Sequence, residues 1–344
     1  MMSHELNAVA RELVAKGKGI LAADESTGTI GKRFDTIDVE STEENRRAYR
    51  DLLFTTSDVE QHISGVILYD ETIRQKSADG TPFPELLASR GIHPGIKVDT
   101  GAKALPGASG EKVTEGLDGL RDRVAEYHSL GARFAKWRAV ITIGRSADGS
   151  GIPSDYCLDA NAHALARYAA LCVEGGLVPI VEPEVLMDGP HTLETCYDVT
   201  SRTLHRVFGA LFEQRVPLEQ ILLKPNMVIS GKECSEQASP QQVAEMTVRC
   251  FRRHVPAAVP GIVFLSGGQS DVEATVHLNE INRLGDLPWN VSFSYGRALQ
   301  APSLKAWLGN ADNVPAAQDA FRHRSLCNGK ATFGEYTAEI EQAA

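Results

Sequence analysis

The sequence predicts a single-domain (β/α)8 barrel, and three observations carry that expectation. Eight short apolar, β-branched runs recur along the 344 residues: GILAADES (19–26), GVILYDE (65–71), GIKVDTG (95–101), RFAKWRAVI (133–141), LVPIVEPEV (177–185), QILLKPNMV (220–228), GIVFLSGGQ (261–269) and VSFSYGRAL (291–299). Stretches of helical periodicity separate them: Thr42–Thr55, Thr114–Leu130, Tyr156–Glu174, His191–Phe212, Pro240–Arg253 and Asp271–Arg283. Nearly every run closes on polar or charged residues at its carboxyl end, where a barrel gathers its active site. Alternating strands and helices imply right-handed crossovers and a parallel sheet. The recurring polar ends favour a closed barrel over an open doubly wound sheet.

The flanking segments fit the same plan. The N-terminal MMSHELNAVARELVAKGKG reads as an amphipathic helix that caps or flanks the barrel, and it lacks the uninterrupted apolar core of a signal peptide. Pro302–Leu308 and Pro315–Leu326 read as two closing helices, and the polar stretch 328–344 as a mobile C-terminal tail. No Ser/Gly/Pro-rich linker divides the chain, so one domain is expected over 1–344.

Composition narrows the function. With 35 basic against 45 acidic residues the net charge is −10, which disfavours nucleic acid and anionic lipid as partners. An anionic substrate would need a local basic pocket. No window approaches the length of an apolar membrane span. The six cysteines show no CxxC spacing, consistent with reduced thiols and a cytoplasmic address. GKGILA (17–22) imitates a dinucleotide fingerprint but precedes a strand, and GTIGKR (28–33) is not a phosphate-binding P-loop. The ten histidines form no HxH, HxxxH or HExxH pair, so no local metal motif is present.

Parallel barrel strands should be greasy, and five of these are not. Lys136 and Arg138 lie two residues apart on the fourth strand, as do Glu182 and Glu184 on the fifth and Lys97 and Asp99 on the third. Lys224 interrupts the apolar sixth strand, and the first ends in Asp24–Glu25. Burying such charges costs several kcal/mol each and gains no stability over Val or Ile. The cluster therefore reads as a site. Desolvation and a neighbouring cation, Lys136 or Arg138, would activate Lys224 as a nucleophile toward a carbonyl. Glu182 and Glu184 supply two carboxylates, one to shuttle protons while the other stays ionised.

The last two strands suit a phosphate. FLSGGQSD (264–271) runs from strand through a Gly-rich turn into a helix, and FSYGRAL (293–299) adds Gly296 and Arg297. Across the mouth, Ser26, Thr29, Lys32 and Arg33 with Lys97 and Arg138 form a second basic group. Two opposed basic groups predict a substrate phosphorylated at both ends.

Taken in order, GILAADESTG (19–28), NRRAYR (45–50), GIKVD (95–99), FAKWR (134–138), VEPE (181–184), LLKPNMV (222–228), FLSGGQS (264–270) and FSYGRALQ (293–300) closely resemble the class I fructose-bisphosphate aldolases. The resemblance runs from about residue 5 to 330. It implies that Lys224 is the Schiff-base lysine and Glu182 the main general acid/base, with Glu184 and Lys136 tuning the pair. Asp24 would contact substrate hydroxyls. Ser266, Gly267, Gly268, Ser294, Gly296 and Arg297 would bind one phosphate, and Arg33, Lys97, Arg138, Ser26 and Thr29 the other. It further implies reversible cleavage of fructose 1,6-bisphosphate in glycolysis and gluconeogenesis, a homotetramer, and no metal or other cofactor. The sequence departs from animal-type relatives in lacking a terminal tyrosine, in Thr100 and Thr142 where some relatives carry lysine, and in a longer loop at 144–157. Another imine-forming barrel lyase, a zinc-dependent aldolase and a non-catalytic binding protein are the rival expectations.

Overall fold

The computed structural model describes residues 2–343. The apolar runs form the strands β1 (Gly19–Ala23), β2 (Ile63–Leu68), β3 (His93–Lys97), β4 (Phe134–Ile141), β5 (Val178–Val185), β6 (Leu222–Leu223), β7 (Gly261–Phe264) and β8 (Asn290–Tyr295). Every barrel pairing is parallel between sequence neighbours, and β8 pairs back to β1 through Ile20↔Ser294 and Leu21↔Tyr295. The sheet is therefore a closed barrel with no open edge.

The helices are α1 (Met2–Leu13), α2 (Thr27–Phe34), α3 (Glu43–Phe54), α4 (Asp70–Ile73), α5 (Phe83–Ser89), α6 (Leu120–Ser129), α7 (Asp155–Glu174), α8 (Leu193–Glu213), α9 (Pro240–His254), α10 (Asp271–Arg283), α11 (Arg297–Trp307), α12 (Val314–Ala331) and α13 (Ala338–Gln342). Their starts are written locally. Thr42, Ser154 and Thr192 cap α3, α7 and α8. Full capping boxes, Ser239 with Gln242 and Ser270 with Glu273, open α9 and α10.

The inward face of the barrel changes character along its length. At the amino ends of the strands, Ile20, Phe134, Val178, Ile180, Leu222 and Val263 pack with Leu6, Val9, Leu13 and Val14. Helix α1 and the residues after it thus plug that end. Gly65 and Gly261 make room for the plug, since a Cβ at either would come within 2.6 Å of Leu13 or Val14. Two residues further along β4, β5 and β6 the same face carries Lys136, Glu182 and Lys224 instead of hydrocarbon. The opposite face, with Ala135, Trp137, Val181 and Leu223, packs outward against the helices. Trp137 stacks on Tyr168 of α7 with centroids 5.6 Å apart. Period-two alternation therefore lines greasy plug and charged mouth along one face of these strands and turns the other face to the helices.

Several expected boundaries move. The expected helix over Thr114–Leu130 begins only at Leu120, because Lys112–Glu115 pairs antiparallel with Gly101–Ala104 in a surface hairpin after β3. The first closing helix starts at Arg297, so Pro302 lies within α11. The 144–157 loop contains a small hairpin, Gly144–Arg145 with Gly151–Ile152. The polar 328–344 stretch is helical to Ala331 and again over α13, where Glu341 pairs with Arg324 at 2.5 Å and accepts from Tyr336 Oη at 2.7 Å.

Candidate active site

The charged mouth begins on β4, β5 and β6. Lys136, Glu182 and Lys224 are only 4, 3 and 4% exposed. Lys224 Nζ lies 3.1 Å from Glu182 Oε1. Lys136 Nζ lies 3.5 Å from Glu182 Oε2 and 2.7 Å from Asp24 Oδ2 at the end of β1. Lysine, glutamate, lysine and aspartate thus alternate across the barrel.

The two lysines are not equivalent. Burial alone would lower the Lys136 ammonium, yet Asp24, Glu182 and Asp99 overcome it and hold that group well above the ordinary lysine range. Lys136 is a fixed cation. Burial would likewise raise Asp24, but Lys136, Lys224 and Lys97 hold its carboxyl well below the usual carboxylate range, so it is a fixed anion. Lys224, by contrast, pairs with Glu182 and with no other carboxylate among the described residues. Of the two buried amines it is the one with fewer charges to leave behind if it reacts.

The two glutamates also differ. Among the described residues Glu182 Oε2 accepts no hydrogen bond, so a lone pair stays available at the mouth. Glu184 is clamped by Arg138 Nε. Burial pushes Glu184 upward in spite of that partner. Arg138 stays above its ordinary range because Glu184 and Glu182 outweigh burial.

Two basic walls flank this centre. On one side Lys97 pairs with Asp99 at 2.7 Å, and Ser26 and Thr29 share a hydrogen bond of 3.1 Å at the start of α2. Arg33 reaches the cleft from α2, held by Glu25. Glu25 is buried and also binds Arg50 of α3 at 2.5 Å and Gln300 Nε2 of α11 at 3.0 Å. It is an organising residue for Arg33. On the other side, Ser266 and the left-handed Gly267 (φ 59°) and Gly268 (φ 104°) turn the chain from β7 toward α10. A side chain would strain both turns. Ser294 Oγ at the end of β8 is buried with no hydrogen-bond partner among the described residues. Gly296 and Arg297 begin α11. The walls meet at Gly296, where a Cβ would lie 3.5 Å from Arg33 Nη2.

Every site residue named from the sequence lines this one cleft. The hub of Glu25, Arg50 and Gln300 was not assigned a role from the sequence. A signal for it existed: Arg50 falls among Tyr49, Leu52, Leu53 and Phe54 on the buried face of α3. An arginine on such a face implies a buried carboxylate partner. Lys232, on the loop after β6, also lines the cleft and was not singled out.

Fold and site together define a barrel enzyme with a buried lysine–carboxylate centre between two basic walls. A family model described as "Fructose-bisphosphate aldolase class-I" matches residues 5–344. A probable fructose-bisphosphate aldolase class 1 of Xanthomonas campestris pv. campestris is 59% identical over 98% of this chain and 99% of its own. A fructose-bisphosphate aldolase of Dictyostelium discoideum is 53% identical over 97% of this chain and 93% of its own. The crystal structure of Plasmodium falciparum fructose-bisphosphate aldolase, in complex with TRAP and a small-molecule inhibitor, superposes with a TM-score of 0.95. It is 52% identical, covering 98% of this chain and 96% of that one. The chain belongs to the class I fructose-bisphosphate aldolase family.

Proposed function

We propose that this chain catalyses the reversible cleavage of fructose 1,6-bisphosphate to dihydroxyacetone phosphate and glyceraldehyde 3-phosphate, through an imine on Lys224, in glycolysis and gluconeogenesis. The observation that carries the reading is the buried array Lys224–Glu182–Lys136–Asp24, with one amine at its open end.

The unprotonated Lys224 amine adds to the C2 ketone of the open-chain sugar. The carbinolamine loses water as Glu182 delivers a proton to the departing hydroxyl, leaving a protonated imine. That cation accepts the electron pair of the C3–C4 bond as it breaks. Glu182, left anionic by that transfer, accepts the proton of the C4 hydroxyl, and glyceraldehyde 3-phosphate leaves as the aldehyde. Glu182 returns that proton to C3 of the remaining enamine, and water hydrolyses the imine to release dihydroxyacetone phosphate and free Lys224. Asp24, held anionic, orients the hydroxyls beside the breaking bond. Lys136, held cationic, keeps Asp24 and Glu182 compatible in a dry cavity and holds Glu182 in reach of Lys224. Glu184, clamped by Arg138, tunes the centre from beside Glu182. Ser266, Gly267, Gly268, Ser294, Gly296 and Arg297 bind the phosphate on the ketone side. Arg33, Lys97, Arg138, Ser26 and Thr29 bind the one on the aldehyde side.

Borohydride reduction with dihydroxyacetone phosphate, followed by peptide mapping, tests the reading. The expected result is loss of activity with a reduced adduct on Lys224. An adduct on another lysine, or none in active enzyme, would overturn it.

We also infer a homotetramer and a cytoplasmic address. The first is supported by the family resemblance. For the second, an Arabidopsis thaliana relative at 54% identity is named cytosolic, and no described helix is long and apolar enough to cross a membrane. Sedimentation velocity and fractionation check each. Limited proteolysis tests the single domain with a mobile tail, which predicts cuts confined to the stretch after Ala331.

A further inference from the structure

We propose that Lys232 is a substrate-binding residue. With Arg297 it supplies a second cation to the ketone-side phosphate at the Gly267–Gly268 turn, and it thereby helps set the affinity for phosphorylated ketoses. The inference rests on the aldolase reading above and deepens it.

The geometry is specific. The point that a Cβ on Gly268 would occupy lies 2.6 Å from Lys232 Nζ and 3.2 Å from Arg297 Nη2. Two cations from different loops therefore converge on one glycine of the turn. Arg297 has no carboxylate partner among the described residues, and Ser294 Oγ nearby is buried and unpartnered. Positive charge and an unused hydroxyl together call for an anion.

The backbone holds Lys232 in place. Its N–H donates to Met187 O at 2.8 Å, and Gly231 N–H to His191 O at 2.8 Å, zipping the loop after β6 to the loop after β5. A Cβ at Gly231 would lie 2.1 Å from Gly189 O, so the two loops are in close backbone contact. The lysine side chain reaches on to the Gly268 turn. Its present partner is Asp188, 3.2 Å away, in a pair whose side chains are 43 and 65% exposed. An exposed single pair of this kind is weak. A phosphate dianion that also engages Arg297 would displace it.

The side of the substrate follows from the strand order. The turn follows β7, next to β6 and Lys224, so its anion belongs to the carbon beside the imine. Dihydroxyacetone phosphate keeps that phosphate, and glyceraldehyde 3-phosphate does not. The bland alternative is a surface lysine that merely tethers the two loops through Asp188.

Lys232→Met and Asp188→Asn in the full chain separate these readings. Lys232→Met should raise KM for fructose 1,6-bisphosphate and fructose 1-phosphate about ten-fold, with the effect on KM exceeding that on kcat. The dihydroxyacetone phosphate concentration that half-saturates borohydride trapping should rise by the same factor. Lys232→Arg, which keeps a cation, should stay within about two-fold. Asp188→Asn should leave these values unchanged or lower them, because it removes a competitor for the lysine. Unchanged values in Lys232→Met, or an equal rise in both Lys232→Met and Asp188→Asn, would overturn the inference while leaving the aldolase reading intact. Absence of trapping on Lys224 in the unmodified enzyme would instead sink the aldolase reading itself.

Discussion

Replacing Lys136 by methionine removes the cation that pairs with both Asp24 and Glu182, and the cost follows from the distances. At 2.7 Å from Asp24 and 3.5 Å from Glu182, the ammonium faces two carboxylates in a cavity where it is 5% exposed on its side chain. Removing one partner of a buried pair leaves an uncompensated charge and costs roughly 3–5 kcal/mol. The loss should depend on pH. In the native protein Asp24 sits below its unfolded value, so its contribution is full above about pH 5 and fades as the pH falls through the depressed folded value. Lys136 sits above its unfolded value, so its contribution is full below about pH 10 and constant over the acid range. Without Lys136, Asp24 protonates earlier on acidification. The gap between native and Lys136→Met should therefore be about 3–5 kcal/mol near pH 8 and should shrink toward pH 4. Urea denaturation at both pH values measures it. Adding Asp24→Asn to Lys136→Met should recover much of the loss, since the orphaned charge goes with its partner. A gap that does not change with pH, together with a strictly additive double variant, would refute the buried-charge account.

Glu182→Gln should still form the imine, trapped by borohydride on Lys224, while turnover falls about 10²–10⁴-fold; undiminished turnover would remove Glu182 from proton transfer. Gly95→Ala places a methyl 2.3 Å from the Phe134 ring at the plugged end of the barrel. It should cost about 1–3 kcal/mol by overpacking, read as a lower urea midpoint, with kcat/KM retained because the mouth is untouched. Exhaustive dialysis against EDTA should leave activity intact, and its loss would point to the zinc-dependent rival.

Much of the site was legible because burial sets a strict rule for parallel strands, and charge violates it. Lys136, Arg138, Glu182, Glu184 and Lys224 stood out against apolar neighbours, and their spacing put them on one face. What failed depended on partners distant in sequence. Nothing near Glu25 announces that it will hold Arg33, Arg50 and Gln300 at once, contacts that span up to 275 residues. The surface hairpin of Gly101–Ala104 and Lys112–Glu115 was hidden because each strand is four residues long and partly exposed, too short to show a period.

By itself the sequence determined the alternation of strands and helices, the closed barrel, and the residue types gathered at its carboxyl end, because those follow from local periodicity and from the cost of burying charge. Only the tertiary structure decided how the two buried lysines are paired. Both Lys136 and Lys224 sit on apolar strands, and nothing beside either in the sequence names its partners. Closure of the barrel pairs the first with Asp24 and Glu182 and the second with Glu182, and electrostatic energy between such groups depends on separations that no spacing along the chain encodes.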